Sequence, residues 1–317
     1  MIDIMGKRKY CFVLSGLIML ACIIGYFVNG VQLDIQFQGG TIMQIEMPDD
    51  TFSTDKAEEI VLNTISKKAT VQKSSTYNTE DTDEKLNLMV LNIASQNTLN
   101  DEERKSVQDA LRKEFNIKID AEVTVNSVEP FIGEEIKTNS LYAVFWASLL
   151  IVLYIWWRFR TMHGLSAGVF AVIALIHDVI VMFTAYIIFK IPLNDSFVAA
   201  VLTIIGYSIN DTVVIYDRIR ENTKLLRKVP IGVLVNRSVV ETLSRSINTS
   251  FTTLICIVSL YVFASVYNIQ PVKEFTLPLA VGIISGVYST IFVASPLYFM
   301  WQERSIRKKT SNKPAKA

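Results

Sequence analysis

Six long apolar runs constrain this chain more than any other feature of its 317 residues. A helix that crosses the hydrocarbon core of a bilayer, roughly 30 Å thick, needs about 20 largely apolar residues. The runs of this length are residues 10–29, 139–157, 165–189, 196–216, 247–267 and 275–300. Half of the chain is apolar and only 19% is charged. The sequence therefore predicts a membrane protein with six spanning helices.

The first run has two interpretations, a cleaved signal peptide or a first span that stays in the protein. A signal peptide has an apolar core of roughly 7–15 residues followed by a small-x-small cleavage site. Residues 10–29 form a longer run, and no such site follows it. We therefore expect a retained first span.

Charge is distributed unevenly along the chain. Residues 30–137 contain 11 Lys and Arg against 21 Asp and Glu, a net charge of −10, whereas the other 209 residues contain 20 basic and 9 acidic residues. Short loops rich in Lys and Arg stay in the cytoplasm. Such residues precede the first span and follow the second, fourth and sixth: Lys7, Arg8, Lys9, Arg158, Arg160, Arg218, Arg220, Lys224, Arg227, Lys228, Arg237, Arg304, Arg307, Lys308, Lys309, Lys313 and Lys316. This predicts a multi-pass protein of the cytoplasmic membrane with both termini in the cytoplasm and residues 30–137 outside. The overall balance of 31 basic and 30 acidic residues argues against a nucleic-acid partner.

The chain is predicted to divide into four parts: a cytoplasmic N-terminus with the first span (1–29), an outer domain (30–137), spans two to six (138–300) and a basic cytoplasmic tail (301–317). The outer domain alternates strand-like and helix-like segments at 41–47, 54–68, 70–77, 85–93, 101–115 and 119–128, with an acidic turn at 80–84. The order β-α-β-β-α-β predicts a ferredoxin-like α+β fold. Asn100 and Glu103 have capping-box spacing at the start of its second helix.

The outer domain contains no histidine, no cysteine and no Gly-rich phosphate loop. This composition argues against a catalytic centre there. Its many acids fit a solvated surface, and contact of one sheet face or groove with an extended polypeptide stays open as the alternative.

Ionisable residues within spans cost about 2.5–3.5 kcal/mol on insertion scales, so each one is a candidate functional residue. The candidates are His177 and Asp178 in the third span, Asp211 in the fourth, and Arg245 at the cytoplasmic start of the fifth. His177 and Asp178 are neighbours and lie about 100° apart on a helix, so a satisfied structural pair is an equally good interpretation.

Polar and small residues recur at helical spacing in four of the spans. These residues are Gly168, Ala171, Ala174 and Asp178 in the third span; Thr203, Tyr207 and Asp211, with Gly206 and Asn210 beside them, in the fourth; Arg245, Asn248, Thr249, Thr252, Cys256 and Ser259 in the fifth; and Gly282 and Gly286 in the sixth. We expect these four helices to pack around a shared interior line.

Asp211 and Arg245 have two interpretations. They form either a static ion pair that fixes helix register or a titrating site. In a titrating site, desolvation and the nearby Arg have opposite effects on the affinity of the carboxyl for a proton. Arg keeps its proton, so the carboxyl would be the switch. Just beyond the membrane, Asp217, Arg218, Arg220 and Glu221 have the spacing of ordinary pairs at a charged helix end.

The stretch GYSINDTVVIYDRIREN at residues 206–222 closely resembles the hallmark of the SecF family, the accessory subunits of the bacterial Sec translocon. Further similar pieces are FQGGT at 37–41, the His177-Asp178 pair, RSINTS at 245–250 and VASPL at 293–297. The resemblance runs from the first span to the last. Tyr216 departs from the family pattern, in which Phe or Ser is common.

The resemblance implies a six-helix half of an RND-type transporter that SecD completes. SecD has a much longer outer region, so the outer domain here is similar to that of SecF. Asp211 and Arg245 are implied to be the proton-responsive pair, supported by Tyr207, Asn210, Asn248, Thr249, His177 and Asp178, with Asp217, Arg218 and Arg220 as a cytoplasmic motif. The implied role is non-enzymatic: a proton motive force drives the outer domain to pull an emerging precursor outward.

The partners implied are SecD, the SecYEG channel and the unfolded translocating polypeptide, with YajC and YidC as further candidates. No cofactor is expected, and the sequence lacks a Walker-type loop. The coupling ion is H⁺ or, since carboxylate, hydroxyl and amide groups also suit it, Na⁺. Two alternatives stay open: a self-sufficient RND-like exporter of a small molecule or lipid, which would need a homodimer, and a passive scaffold of the channel.

Overall fold

The computed structural model describes residues 3–49, 51–77, 85–94, 99–118, 121–160, 164–226, 229–267 and 269–311. In chain order its helices and strands are α1 (Arg8–Asn29), α2 (Ile35–Gln38), β1 (Gly40–Met47), α3 (Thr54–Ile65), β2 (Ala69–Tyr77), β3 (Lys85–Ala94), α4 (Asp101–Phe115), β4 (Val123–Val128), α5 (Pro130–Arg158), α6 (Gly164–Ile188), α7 (Asp195–Leu225), α8 (Ile231–Val266), α9 (Gln270–Ser289) and α10 (Ser295–Ser311). A π-helical segment, Thr290–Ala294, joins α9 to α10.

Within the described residues, six helices are long and apolar enough to span a membrane, as predicted: α1, α5, α6, α7, α8 and the continuous α9–α10. Several begin or end outside their apolar run. α8 begins at Ile231 although its apolar run begins at 247, and α5 begins at Pro130, ahead of the predicted domain boundary at 138. An apolar run marks the part of a helix suited to hydrocarbon, whereas the helix itself continues as long as its backbone hydrogen bonds do.

The bundle has an inner and an outer set of helices. α6, α7 and α9 are buried against one another, and the small face predicted for α6 is buried at Gly168, Ala171, Ala174 and Asp178. α1, α5 and α8 lie outside and expose large apolar side chains such as Phe27, Trp157 and Phe251. Such side chains suit a lipid environment.

Residues 40–128 form a ferredoxin-like α+β domain, as predicted. Its four-stranded antiparallel sheet has the order β2-β3-β1-β4, so α3 and α4 connect strands that are not neighbours. One face of the sheet carries the core, in which Met43, Ile45 and Leu91 pack with Val107 and Leu111 of α4.

Local signals of this domain are mostly confirmed. Asn100 accepts from the backbone of Glu103 at 2.7 Å, and the Glu103 carboxylate accepts from the Asn100 backbone at 3.1 Å, which completes the capping box. α3 ends earlier than predicted, because Ser66 adopts a left-handed backbone with φ of 54°. The predicted acidic turn at 80–84, residues 119–120 of the last predicted strand, and the basic residues Arg227, Lys228, Lys313 and Lys316 lie outside the described residues.

A short linker, residues 30–39, joins α1 to the α+β domain. We call the end of the bundle at this linker the domain end and the opposite end the far end. The Asp34 backbone donates to Leu193 O at 3.0 Å, and Leu193 donates to Gln32 O at 2.8 Å, so the linker pairs with the α6–α7 loop. Asp34 then caps α2 by accepting from the Gln36 backbone. A Cβ at Gly133 would lie 3.1–3.2 Å from backbone atoms of Gln36, Phe37 and Gly39, so the absence of a side chain favours this close approach of α5.

Candidate functional site

α7 runs without a break from the domain end to the far end and carries Asp211, a buried residue, near its middle. Only 4% of the Asp211 side chain is exposed. Its Oδ2 atom has no hydrogen-bond partner among the described residues. A buried carboxyl oxygen without a donor is costly when charged, so this group has a physical reason to bind a proton.

Arg245 lies on α8 beside Asp211 without pairing with it. The two interact electrostatically, and Ser246, the next residue, approaches the carboxyl without forming a hydrogen bond of good geometry. Among the described residues, no nitrogen of Arg245 lies within 4 Å of the Asp211 carboxylate, and the Arg245 side chain is exposed. The static ion pair is therefore not the arrangement found, and a fixed cation stands near an unpaired carboxyl.

Of the predicted supporting residues on α7 and α8, Tyr207 and Thr249 form side-chain hydrogen bonds, whereas Asn210 and Asn248 are exposed. Tyr207 donates its hydroxyl to Ser250 Oγ at 2.7 Å and thereby joins α7 to α8. Thr249 donates to the backbone of its own helix, at Arg245 O and Ser246 O. Asn210 and Asn248 are exposed and bring no described side-chain hydrogen bond to the site.

The expectation of a shared interior line is wrong for α8. Its predicted polar stripe faces outward, together with two polar residues of α7. This open polar surface consists of Thr203, Asn210, Arg245, Asn248, Thr249 and Thr252, all exposed. Helical spacing shows that residues share a face but not which neighbour covers that face.

The interior line of α6, α7 and α9 instead centres on Asp178, which is fully buried. Its Oδ1 accepts from Ser285 at 2.6 Å, and its Oδ2 accepts from Ser208 at 2.8 Å and from Ser289 at 2.7 Å. Sequence reasoning missed these three serines. The available signal was the Gly282-x-x-x-Gly286 spacing: a Cβ at Gly286 would lie 3.3 Å from Ser208 Cβ, so the glycines bring α9 close to α7.

His177 is also buried and lies at the edge of this cluster. Its Nδ1 is 3.5 Å from Asp178 Oδ1, and its ring centroid is 5.9 Å from that of Tyr288. Its Nε2 has no hydrogen-bond partner among the described residues. Tyr288 in turn donates to Cys11 O at 2.7 Å, which connects the cluster to α1.

Charged residues tie three helices together at the far end. The predicted pair of Asp217 with Arg220 is present at 2.8 Å, whereas Glu221 pairs with Arg218 at 2.6 Å. Sequence reasoning missed the contacts between helices: Arg158 of α5 binds Asp217 at 2.8 Å, and Glu241 of α8 binds Arg218 at 2.6 Å. Glu241 also accepts from Arg237 and Asn222.

A cavity of about 660 Å³ opens among these far-end charges. It is lined by Val214, Asp217, Arg218, Arg220, Glu221, Lys224, Glu241, Thr242 and Arg245. Because Arg245 lies both in this lining and beside Asp211, the cavity extends from the far end toward the buried carboxyl.

Three comparisons place these features among known proteins. The family model described as "Protein export membrane protein SecD/SecF, C-terminal" matches residues 107–304. Protein translocase subunit SecF of Alicyclobacillus acidocaldarius is 34% identical over 313 residues, which cover 97% of this chain and 95% of that protein. Protein translocase subunit SecDF of Bacillus subtilis is 31% identical over 96% of this chain and 39% of that protein.

Two solved structures have the same fold. The crystal structure of SecDF from Thermus thermophilus, described as a translocon-associated membrane protein, matches 96% of this chain with a TM-score of 0.78 and 30% identity. SecDF in a super-membrane-facing form matches 98% with a TM-score of 0.69 and 31% identity. This chain spans about two fifths of the length of those SecDF chains, 39% and 40% respectively.

Proposed function

Because this chain belongs to the SecD/SecF family of protein-export membrane proteins, we propose that it is an accessory subunit of the Sec translocase that uses the proton motive force to promote late steps of export. The observation that supports ion coupling is the buried Asp211 carboxyl, with one oxygen unpartnered and the permanent charge of Arg245 nearby. Protonation of that carboxyl removes a negative charge from the α7–α8 contact. Both helices then repack around the remaining cation.

The energy available is sufficient for such repacking. One elementary charge that moves down a potential of 100 mV releases about 2.3 kcal/mol. A bias of this size changes the ratio of two helix arrangements by roughly 50-fold.

SecD is the proposed partner in the membrane. The open polar surface carries Arg245, Asn248 and other polar side chains within spanning helices, and polar groups exposed to lipid are costly. A second membrane-embedded half would cover it. Relatives that carry this half within a longer chain are named SecDF, which supports SecD as that second half.

The far end is proposed to face the cytoplasm, since the basic loops lie there. The 660 Å³ cavity then gives cytoplasmic water access to Arg245 and a route by which a proton leaves Asp211. With this orientation the α+β domain lies outside the cell membrane.

The α+β domain is proposed to contact the unfolded polypeptide. α3 and α4 cover one face of its sheet, and the opposite face carries Ile42, Gln44, Val90 and Asn92. Amide side chains interspersed with apolar ones suit a chain of varied sequence. The SecYEG channel, with YajC and YidC as further candidates, completes the proposed set of partners.

The test is Asp211→Asn in the full chain together with its SecD partner, since asparagine keeps the shape of the side chain but does not titrate. We expect normal assembly and loss of the export stimulated by the proton motive force. Asp109→Asn, the same change at an exposed position of α4, is the matched control and should leave export unchanged. Undiminished export in Asp211→Asn would contradict the proposal and favour a passive scaffold.

Replacing the proton gradient by a sodium gradient in the same assay identifies the coupling ion. A chain that copurifies with a second copy of itself, rather than with SecD, would favour the self-sufficient exporter.

A further inference from the structure

Asp178 is a buried carboxyl that the proposed Asp211 mechanism does not use. It lies where α6, α7 and α9 meet, with none of its side chain exposed. Among the described residues, no Lys or Arg nitrogen lies within 4 Å of its carboxylate, and the basic side chain that does approach it is His177, through Nδ1 at 3.5 Å. A negative charge is costly at such a site, which favours a proton on the carboxyl, a protonated histidine beside it or a bound cation.

The groups that face Asp178 from each packed helix are mostly uncharged. α7 contributes Ser208, and α9 contributes Ser285 and Ser289. The titratable groups nearby are His177 on α6 itself and Tyr288 of α9, which stacks near His177 and bonds to α1.

We infer that Asp178, with Ser208, Ser285 and Ser289, is a second proton-binding site in the membrane helices. Ser289 carries the argument, because its hydroxyl lies 2.7 Å from Asp178 Oδ2 and also 3.2 Å from Gly286 O. A serine hydroxyl donates one hydrogen bond and accepts others. Ser289 therefore has an acceptor in either direction.

Both protonation states of Asp178 are satisfied by this geometry. When the carboxyl is ionised, all three serines donate to it. When Oδ2 carries a proton, that proton is donated to Ser289 Oγ, and Ser289 turns its own hydrogen to Gly286 O. Ser208 and Ser285 keep their bonds in both states, so no buried polar group loses its partner.

The change of charge alters how tightly the three helices are joined. Hydrogen bonds to an ionised carboxylate are roughly twice as strong as neutral ones, so ionised Asp178 holds α7 and α9 more firmly against α6. Ser208 lies three residues before Asp211 on α7, and Ser289 directly precedes the π-helical segment. A proton on Asp178 therefore weakens the attachment of α7, the helix that carries Asp211. It also weakens the attachment of the π-helical segment, which packs against α7 where the hydroxyls of Thr212 and Thr290 lie 3.0 Å apart.

A sodium ion is the competing occupant of this cluster. Sodium would need the hydroxyl lone pairs turned toward a common centre, with their hydrogens pointing away from the ion. Here the serine oxygens lie at hydrogen-bond distance from the carboxylate oxygens, so their hydrogens occupy the space between. The geometry therefore favours the proton.

The experiment uses the full chain in lipid nanodiscs with Asp211→Asn as the background, so that Asp211 is silent. Infrared spectra recorded across neutral and acid pH follow the stretching band of protonated carboxyl groups. We expect a pH-dependent component of this band, assigned in difference spectra, that is lost when Asp178→Asn is added. Ser289→Ala, which keeps the carboxyl but removes the acceptor of its proton, should shift this band to higher frequency. Ser295→Ala is the matched control, because the hydroxyl of that buried serine donates to Thr290 O rather than to Asp178, and it should leave the band in place.

A band that neither Asp178→Asn nor Ser289→Ala changes would overturn the inference. A sodium-specific stabilisation would also overturn it. In that case the thermal midpoint of the Asp211→Asn protein would be higher in NaCl than in KCl at equal ionic strength, and the difference would vanish when Asp178→Asn is added, which assigns the cluster to a cation. Use of this proton in transport rests on the proposed function, but its binding does not. If Asp211→Asn leaves export unchanged and the Asp178 band is present, only the proposed function is contradicted. If Asp211→Asn abolishes export and the Asp178 band is absent, only this inference is contradicted.

Discussion

Tyr207 donates its hydroxyl to Ser250 Oγ across 2.7 Å, one helical turn before Asp211 on α7. This contact holds α7 and α8 together in the membrane interior, where the proposed repacking occurs. Polar contacts between membrane helices are worth about 0.6 kcal/mol on average in double-mutant cycles.

We therefore expect Tyr207→Phe and Ser250→Ala each to lower the free energy of unfolding modestly, with a coupling energy of about 0.6 kcal/mol between them. The measurement is a double-mutant cycle on the full chain by reversible unfolding in mixed micelles. Tyr10→Phe, at an exposed tyrosine of α1, is the control and should have no effect. A coupling energy of zero would mean that the hydrogen bond contributes nothing to the packing of α7 on α8.

Gly282 allows α9 to approach α7. A methyl group at this position would collide with the Ile204 side chain, whereas one at Gly206 would meet no atom within 4 Å. We expect Gly282→Ala to destabilise the isolated chain by about 1–3 kcal/mol through overpacking. Gly206→Ala should be neutral or stabilising by up to about 1 kcal/mol, because alanine is the better helix former. Thermal unfolding of the two variants compares them directly, and equal midpoints would contradict the close approach.

The sequence predicted well the features that depend on local pattern. Hydropathy identified all six spans, because each helix that crosses a bilayer must carry its own apolar residues and satisfy its own backbone hydrogen bonds. The capping box at Asn100 and Glu103 was recognisable for a similar reason, since both of its bonds connect residues three apart.

Features that depend on the register between helices were not predictable. The sequence indicates Asp178 as an ionisable residue within a span, but Ser208, Ser285 and Ser289 reach it from helices that are distant in sequence. The contact of Arg158 with Asp217 likewise joins residues 59 apart. The sequence also did not predict that the polar stripe of α8 faces outward. A polar helix face has the same residue spacing whether another helix of the chain covers it or it is exposed.

Glu241 is the centre of the far-end charge cluster. Its carboxylate accepts from Arg218 at 2.6 Å, from Arg237 at 2.7 Å and from Asn222 at 2.9 Å. Exposed ion pairs each contribute little, but three donors meet on this one carboxylate, so Glu241→Gln should destabilise the α7–α8 contact more than the loss of a single exposed pair does. Glu303→Gln is the matched control, since Glu303 pairs with a single exposed arginine one turn away and such pairs contribute about 0.3–0.5 kcal/mol. Thermal midpoints that fall equally in both variants would contradict a structural role for the cluster.

Asp34 gives the linker a pH dependence whose sign is fixed. Burial raises the pKa of Asp34, and the negative charge of Asp195 adds to this, while the Gln36 backbone bond opposes it. A carboxyl whose pKa is higher when docked binds its proton more tightly in that state. The stability it contributes is therefore fully present below the unfolded value of about 3.9 and is lost as pH rises through the higher docked value.

Amide hydrogen exchange of residues 33–39 in the full chain, corrected for the intrinsic rate, should show protection that decreases as pH rises through this window. Asp34→Asn keeps an oxygen that caps α2 but does not titrate, so its corrected protection should be flat. Glu103 provides an internal control of opposite sign, because the Lys67 hydrogen bond lowers the pKa of Glu103 and its contribution to α4 is lost as pH falls. Linker and α4 amides that respond in the same direction would show that a global change, rather than the titration of Asp34, controls the docking of the linker.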